Sequence, residues 1–215
     1  LFSPEEIIIK SSTERDFMLN KRGLLGSKDE LSLVPGSYFE IDATVADVHI
    51  VSSFGNQYVL GRPTIYSIVD RATSMITGLS VSLYYASWRA AKQALANCFL
   101  SKERYCNEFG IDIVDSDWPC SHIPKTLVCD NGEMIGLQPQ KLVVPLTELQ
   151  LSPPYRPDFK GMVERRFGLL NSKVIHGLLG TTKGGRVVRG DKDPRKDAVY
   201  TLKEFSTLLI EAALE

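Results

Sequence analysis

Between Tyr38 and Tyr84 the chain carries three apolar runs with the two-residue alternation of β-strands. Tyr38 to Ser52 alternates and is rich in β-branched residues, Tyr58 to Asp70 repeats that character, and Met75 to Tyr84 makes a third run. Gly55-Asn56 and Thr73-Ser74 supply the turns, so the pattern predicts a meander of three antiparallel strands. The period then changes. Trp88, Ala91, Leu95, Cys98, Phe99, Cys106 and Phe109 recur near every 3.6 residues, with Ser87 placed to cap the helix they predict. Thr126 to Cys129 is short and wholly apolar, the pattern of a parallel strand covered on both faces. A helix or irregular segment is expected over about 133–142, then a strand from Leu149 to Ser152 that Pro153-Pro154 and Pro157 end.

A last helix of the central region is predicted from about Asp158 to Ile175. Phe159, Val163, Phe167, Leu170 and Val174 form its apolar stripe, while Lys160, Glu164 and Asn171 share another face. That spacing leans Glu164 toward the sheet edge beside Lys160. Three antiparallel strands, a helix, a parallel strand, a helix, a strand and a helix follow the order of the ribonuclease H-like fold. The expected class is α/β, a mixed five-stranded sheet with flanking helices plus N- and C-terminal extensions. Residues 1–36 are polar and weakly periodic, and read as short helices and a linker closed by Pro35-Gly36. Residues 37–178 make the core. Residues 179–215 read as a basic, Gly-rich loop (Gly180 to Lys196) and a helix leading to a further domain. The loop lacks the Gly-Lys-Ser/Thr ending of a phosphate-binding P-loop. A start at Leu1 and an end inside a helix suggest a piece of a longer protein.

Composition narrows the picture modestly. A chain of 215 residues, 43% hydrophobic and 24% charged, is ordinary for a globular protein with a full core. No apolar run approaches the ~20 residues of a membrane span, and no signal peptide is visible, so a cytoplasmic location is expected. Cys98, Cys106, Cys120 and Cys129 lack paired spacing and read as reduced core thiols. Cys120-Ser-His122 hints at a metal, but no second ligand pair follows at zinc spacing. The net charge of −1 hides an asymmetry. Residues 156–196 hold eleven Lys/Arg and four Asp/Glu, while the rest of the chain holds fourteen and twenty-two. A local basic stretch suits a polyanion, and the acidic remainder argues against a whole-surface nucleic-acid coat.

Three separated carboxylates carry the chemistry. Asp42 sits in Tyr38-Phe-Glu-Ile-Asp-Ala-Thr44, Asp130 in Thr126-Leu-Val-Cys-Asp-Asn-Gly132, and Glu164 in Lys160-Gly-Met-Val-Glu-Arg-Arg166. The first two sit at or near the ends of apolar strand runs and the third rides a basic amphipathic helix. Two divalent ions ~3.5–4 Å apart need oxygens from more than one element, because no local segment surrounds both. Each carboxylate alone reads equally as a solvated charge; the set of three is what points to phosphoryl transfer. Glu40, on the same strand face as Asp42, is a rival for the first-strand ligand. Asp47 falls on the opposite face and Asp70 at a turn, and both read as structural, as do His49 and His176.

With Asp70-Arg-Ala-Thr73, Val128-Cys-Asp-Asn-Gly132 and Lys160-Gly-Met-Val-Glu-Arg-Arg-Phe167 added, the chain resembles the DDE transposase catalytic core of the retroviral-integrase superfamily. Its pattern is most similar to the TnsB transposases of Tn-seven-like transposons, with phage Mu transposase more distant. The gaps of 88 positions from Asp42 to Asp130 and 34 from Asp130 to Glu164 fit that pattern. So does the run from Asp193-Pro194 to Glu204. Any one motif is weak; four in order are specific.

The resemblance implies metal-dependent cleavage of transposon 3′ ends and transfer of the 3′-OH into target DNA. Asp42 would bridge two Mg²⁺ ions, with Mn²⁺ able to substitute, and Asp130 and Glu164 would each hold one. A helix-borne ligand depends on a partner to order it, so without metal or DNA Glu164 is expected to be turned away. Lys160, Arg165 and Arg166 are candidates for phosphate contacts, with a solvated helix face as the competing reading. Arg156, Lys183, Arg186 and Arg189 are weaker candidates, and Tyr155 either touches DNA or packs. Implied partners are transposon-end and target DNA, further copies of the chain on DNA, an ATPase target-selection subunit and a second nuclease subunit. The implied location is the bacterial cytoplasm, at the nucleoid. A ribonuclease H-fold nuclease that only hydrolyses nucleic acid is the alternative.

Overall fold

The computed structural model describes residues 10–11, 34–130, 134–152, 161–185 and 192–215. Seven strands and five α-helices carry the architecture among them. Strands are β1 (Tyr38–Val45), β2 (Ile50–Ser52), β3 (Gly55–Gly61), β4 (Thr64–Asp70), β5 (Ile76–Ser82), β6 (Thr126–Cys129) and β7 (Glu148–Leu151). Helices are α1 (Trp88–Phe99), α2 (Lys102–Asn107), α3 (Leu137–Val143), α4 (Gly161–Lys173) and α5 (Leu202–Leu214). The main sheet has five strands in the order β5-β4-β1-β6-β7. β1 pairs antiparallel with β4 and parallel with β6; β4–β5 is antiparallel and β6–β7 parallel. This is the mixed sheet of the ribonuclease H-like fold. No helix among the described residues is long and apolar enough to cross a membrane.

Alternation along β1 divides the core in two. Phe39 and Ile41 face one layer with Ala91, Ala94 and Leu95 of α1. The other layer joins Ile65 and Val69 of β4 to Val163, Phe167 and Leu170 of α4 and Phe205, Leu209 and Ile210 of α5. α1 lies so close to β5 that a Cβ on Gly78 would stand 2.7 Å from Cys98 Cβ and 2.8 Å from the Ala94 carbonyl oxygen. All four cysteines are free and buried. Burial pushes the Cys98 thiol up to about 12 and Cys120 to about 11, which leaves both protonated.

Three elements differ from the pattern in the sequence. The first two apolar runs are each broken, the first between Val45 and Ile50 and the second at Pro63, which cannot donate to a ladder. Its carbonyl instead accepts from Ala46 N–H at 2.8 Å, and β2 and β3 leave the main sheet as a separate hairpin. That hairpin turns at Ser53-Phe54, with Gly55 already in β3. The predicted long helix after Ser87 is two helices. The buried Lys102 ends the first: its Nζ donates to the carbonyls of Asn97 (2.7 Å), Cys98 (3.0 Å) and Cys120 (3.1 Å). Ser87 occupies the N-cap position, but its side chain makes no capping bond. Instead its N–H donates to Tyr66 Oη at 2.7 Å. Of the linker predicted over residues 1–36, only Lys10, Ser11 and Val34 to Gly36 are among the described residues.

Candidate active site

Asp42 and Asp130 meet at one end of the sheet. The parallel ladder pairs Glu40 with Val128, so two residues further on Asp42 and Asp130 stand level and on the same face. Both line one cleft, which Tyr66, Ala91 and Met134 also border. Asp42 is half-buried and Asp130, one residue past β6, is exposed. Ser67 pairs with Asp42 on the neighbouring strand. Its hydroxyl is buried and has no hydrogen-bond partner among the described residues. Nothing in the local sequence singles Ser67 out.

Glu164 is exposed on the first turn of α4. Among the described residues no three Asp, Glu, His or Cys side chains are grouped closely enough to hold a metal ion. Two carboxylates are therefore gathered, and the third stands on a helix end docked against the same strand. That docking runs through Glu40. The Val163 N–H donates to Glu40 Oε2 at 3.3 Å, and Arg71 Nε donates to Glu40 Oε1 at 2.5 Å. Glu40 is 0% exposed and Arg71 7%. Both oxygens of Glu40 are thus engaged inside the core, away from the cleft that Asp42 and Asp130 line.

Asp70 is likewise structural. Its Oδ1 accepts from Gly36 N–H (3.2 Å), and its Oδ2 from the N–H (3.1 Å) and hydroxyl (2.7 Å) of Thr73. Gly36 holds φ +81, and a Cβ there would run into the His122 ring. Asp47 accepts from Arg62 Nη2 and lies 3.4 Å from His176 Nε2, while its carbonyl receives Thr182 N–H at 2.7 Å. It pins the hairpin to the segment after α4. His49 is held below its ordinary pKa by burial first and by the nearby Arg62 cation second.

The basic candidates disperse. Arg165 is exposed, one position past Glu164. Arg166 faces a groove shared with Trp118, Lys173 and Ala213 at the far end of α5. Lys183 is exposed in a turn with φ 50. Arg156, Lys160, Arg186, Arg189 and Tyr155 lie outside the described residues.

Carboxylate oxygens at this strand-end cleft match the hard-oxygen preference of Mg²⁺. The TnsB C-terminal domain family matches residues 40–180, which span Asp42, Asp130 and Glu164 together. The chain belongs to this TnsB family. The transposon Tn7 transposition protein TnsB of Escherichia coli is 35% identical over 195 residues, which is 90% of this chain and 28% of that protein. The chain thus spans little more than a quarter of this TnsB relative's length. Among solved structures, the simian T-cell lymphotropic virus intasome in complex with PP2A regulatory subunit B56 gamma aligns with TM-score 0.43 and 16% identity, over 92% of this chain and 66% of that one. The HTLV-2 integrase catalytic core domain in complex with magnesium aligns with TM-score 0.38 and 16% identity, over 68% and 76%.

Proposed function

We propose that this TnsB-family chain is the catalytic core of a DNA transposase that frees transposon 3′ ends and joins them to target DNA. The observation that carries the reading is the pair Asp42, within β1, and Asp130, one residue past the adjacent parallel β6, on one cleft, with the helix bearing Glu164 docked on the same β1. Asp42 would hold both Mg²⁺ ions, Asp130 one and Glu164 the other; Mn²⁺ would fit the same oxygens. Such ions, when bound, activate the attacking water or 3′-hydroxyl and stabilise the leaving oxygen. The carboxylates themselves orient the scissile phosphate through that charge and form no covalent bond to DNA. Arg165 and Lys183 are exposed cations that would meet the DNA backbone, joined by Lys160, Arg156, Arg166, Arg186 and Arg189. The protein would act as a homo-oligomer on DNA, with an ATPase target-selection subunit and a second nuclease subunit as partners, in the bacterial cytoplasm at the nucleoid.

The competing reading is a nuclease of the same fold. The full-length protein, given Mg²⁺, target DNA and a pre-cut transposon end with a free 3′-OH, separates the two. A covalent joint between end and target is expected. Hydrolysis of DNA with no joined product would leave only the nuclease.

A further inference from the structure

Glu40 lies two residues before Asp42, on the same face of β1, and does not reach the cleft. It sits at the junction between the sheet and α4, with one oxygen on Arg71 Nε and the other on Val163 N–H. Arg71 is fixed in turn: it follows the turn-forming Asp70, and its own N–H donates to the Tyr38 carbonyl at 2.9 Å. Val163 is fully buried against the sheet. First-turn N–H groups of a helix have no partner within the helix, so a carboxylate facing one holds the helix end in place. Glu164 is the next residue.

We propose that the buried Glu40–Arg71 pair is the device that sets α4 at the height where Glu164 can complete the site with Asp42 and Asp130. Glu40 is a positioning residue and touches neither DNA nor metal. This rests on the reading of Glu164 as the third carboxylate. The geometry explains why a charged pair stands in a core layer otherwise made of Ile65, Val69, Val163 and Phe167. An apolar pair would fill that space but offer no acceptor to Val163 N–H.

The test uses the full-length protein with Glu40→Leu, Glu40→Gln and Glu164→Gln. Glu40→Leu removes the acceptor. Amide hydrogen exchange over residues 161–167, measured without metal, should quicken about tenfold or more. Joining of a pre-cut end should fall at least about tenfold, and the Mg²⁺ concentration for half-maximal joining should rise, at unchanged affinity for end DNA. Glu40→Gln keeps one acceptor oxygen for two donors, Val163 N–H and Arg71 Nε, and should fall between wild type and Glu40→Leu in both exchange and joining. If Glu40→Leu does not fold, Glu40→Leu combined with Arg71→Leu removes the acceptor without leaving a buried cation unpaired, and the same readouts decide. Wild-type exchange and joining in the acceptor-less protein overturn the proposal. So does a Glu40→Gln protein as inactive as Asp42→Asn, which would make Glu40 a ligand. A Glu164→Gln protein that still joins DNA would instead overturn the three-carboxylate reading itself.

Discussion

Asp42 stands on β1 and Asp130 one residue past β6, strands that pair directly, whereas Glu164 stands on a helix tied to the sheet by a side chain. The ladder that sets Glu40 opposite Val128 ends two residues short of the aspartates and brings them level without a ligand. The helix half has the packing of Val163, Phe167 and Leu170 and the bond from Val163 to Glu40. Sheet register is a stiff constraint, because a one-residue slip would turn every side chain to the other face. A helix end can pivot without breaking a ladder. The sheet half is a standing platform, and the helix half is the part that bound metal and DNA would complete.

The largest effect expected is on the platform's carboxylates. In the full-length protein, Asp42→Asn or Asp130→Asn should lower both end cleavage and joining by ~10³-fold or more, as losing several kcal/mol of metal-borne charge stabilisation implies. End binding should survive, since asparagine keeps the shape of each side chain. Gel-based cleavage and joining assays beside an end-binding titration check this. Retained cleavage would remove that residue from the site.

Next comes the support behind the platform. Lys102→Met should keep the volume but leave the Asn97, Cys98 and Cys120 carbonyls without their donor. The expected loss is on the order of 3 kcal/mol by urea unfolding. Burial holds the Lys102 pKa below the ordinary lysine value. A smaller loss, near that of a surface change, would mean the helix break does not depend on this cation.

The platform was largely legible in the sequence, and the reason is local. Apolar runs with a period of two announce strands, and a wholly apolar Thr126–Cys129 announces a covered parallel one, so the level pairing of Asp42 with Asp130 follows from the order of elements. The Arg62-Pro63 break between β3 and β4 had a visible cause in the proline, yet its consequence, a separate hairpin, depends on Ala46 and Pro63 meeting in space. Lys102 ends α1 through carbonyls up to 18 positions away, with no Gly or Pro to announce the break. The helix half was legible as an amphipathic stripe and no further. The Glu40–Arg71 contact spans 31 positions and Glu40–Val163 spans 123, so no periodicity could assign Glu40 its place.

The smallest effect expected lies behind α4. Thr201 and Glu204 close a capping box at the start of α5, which packs on α4's core layer. Hydrogen bonds from Thr201 hold Glu204 below its ordinary pKa. A carboxylate whose folded pKa is lowered stabilises above its unfolded pKa, and that contribution is lost as pH falls through the folded value. Glu204→Ala should therefore cost roughly 0.5–1 kcal/mol at neutral pH and progressively less as the pH drops below the ordinary glutamate range. Paired thermal melts across that range check the sign. Joining should change less than about twofold, because only the backing of the helix half is loosened.

On the proposed reading, Asp42, Asp130 and Glu164 together surround the site of a metal pair. Iron(II)-directed backbone cleavage of the full-length protein on transposon-end DNA reads that site most directly, since radicals formed at a bound ion cut only the chain beside it. The account predicts cuts close to Asp42, Asp130 and Glu164 together, suppressed by excess Mg²⁺ and absent in the Asp42→Asn protein. Cuts beside Asp42 and Asp130 without Glu164, or cuts that persist in Asp42→Asn, would contradict it.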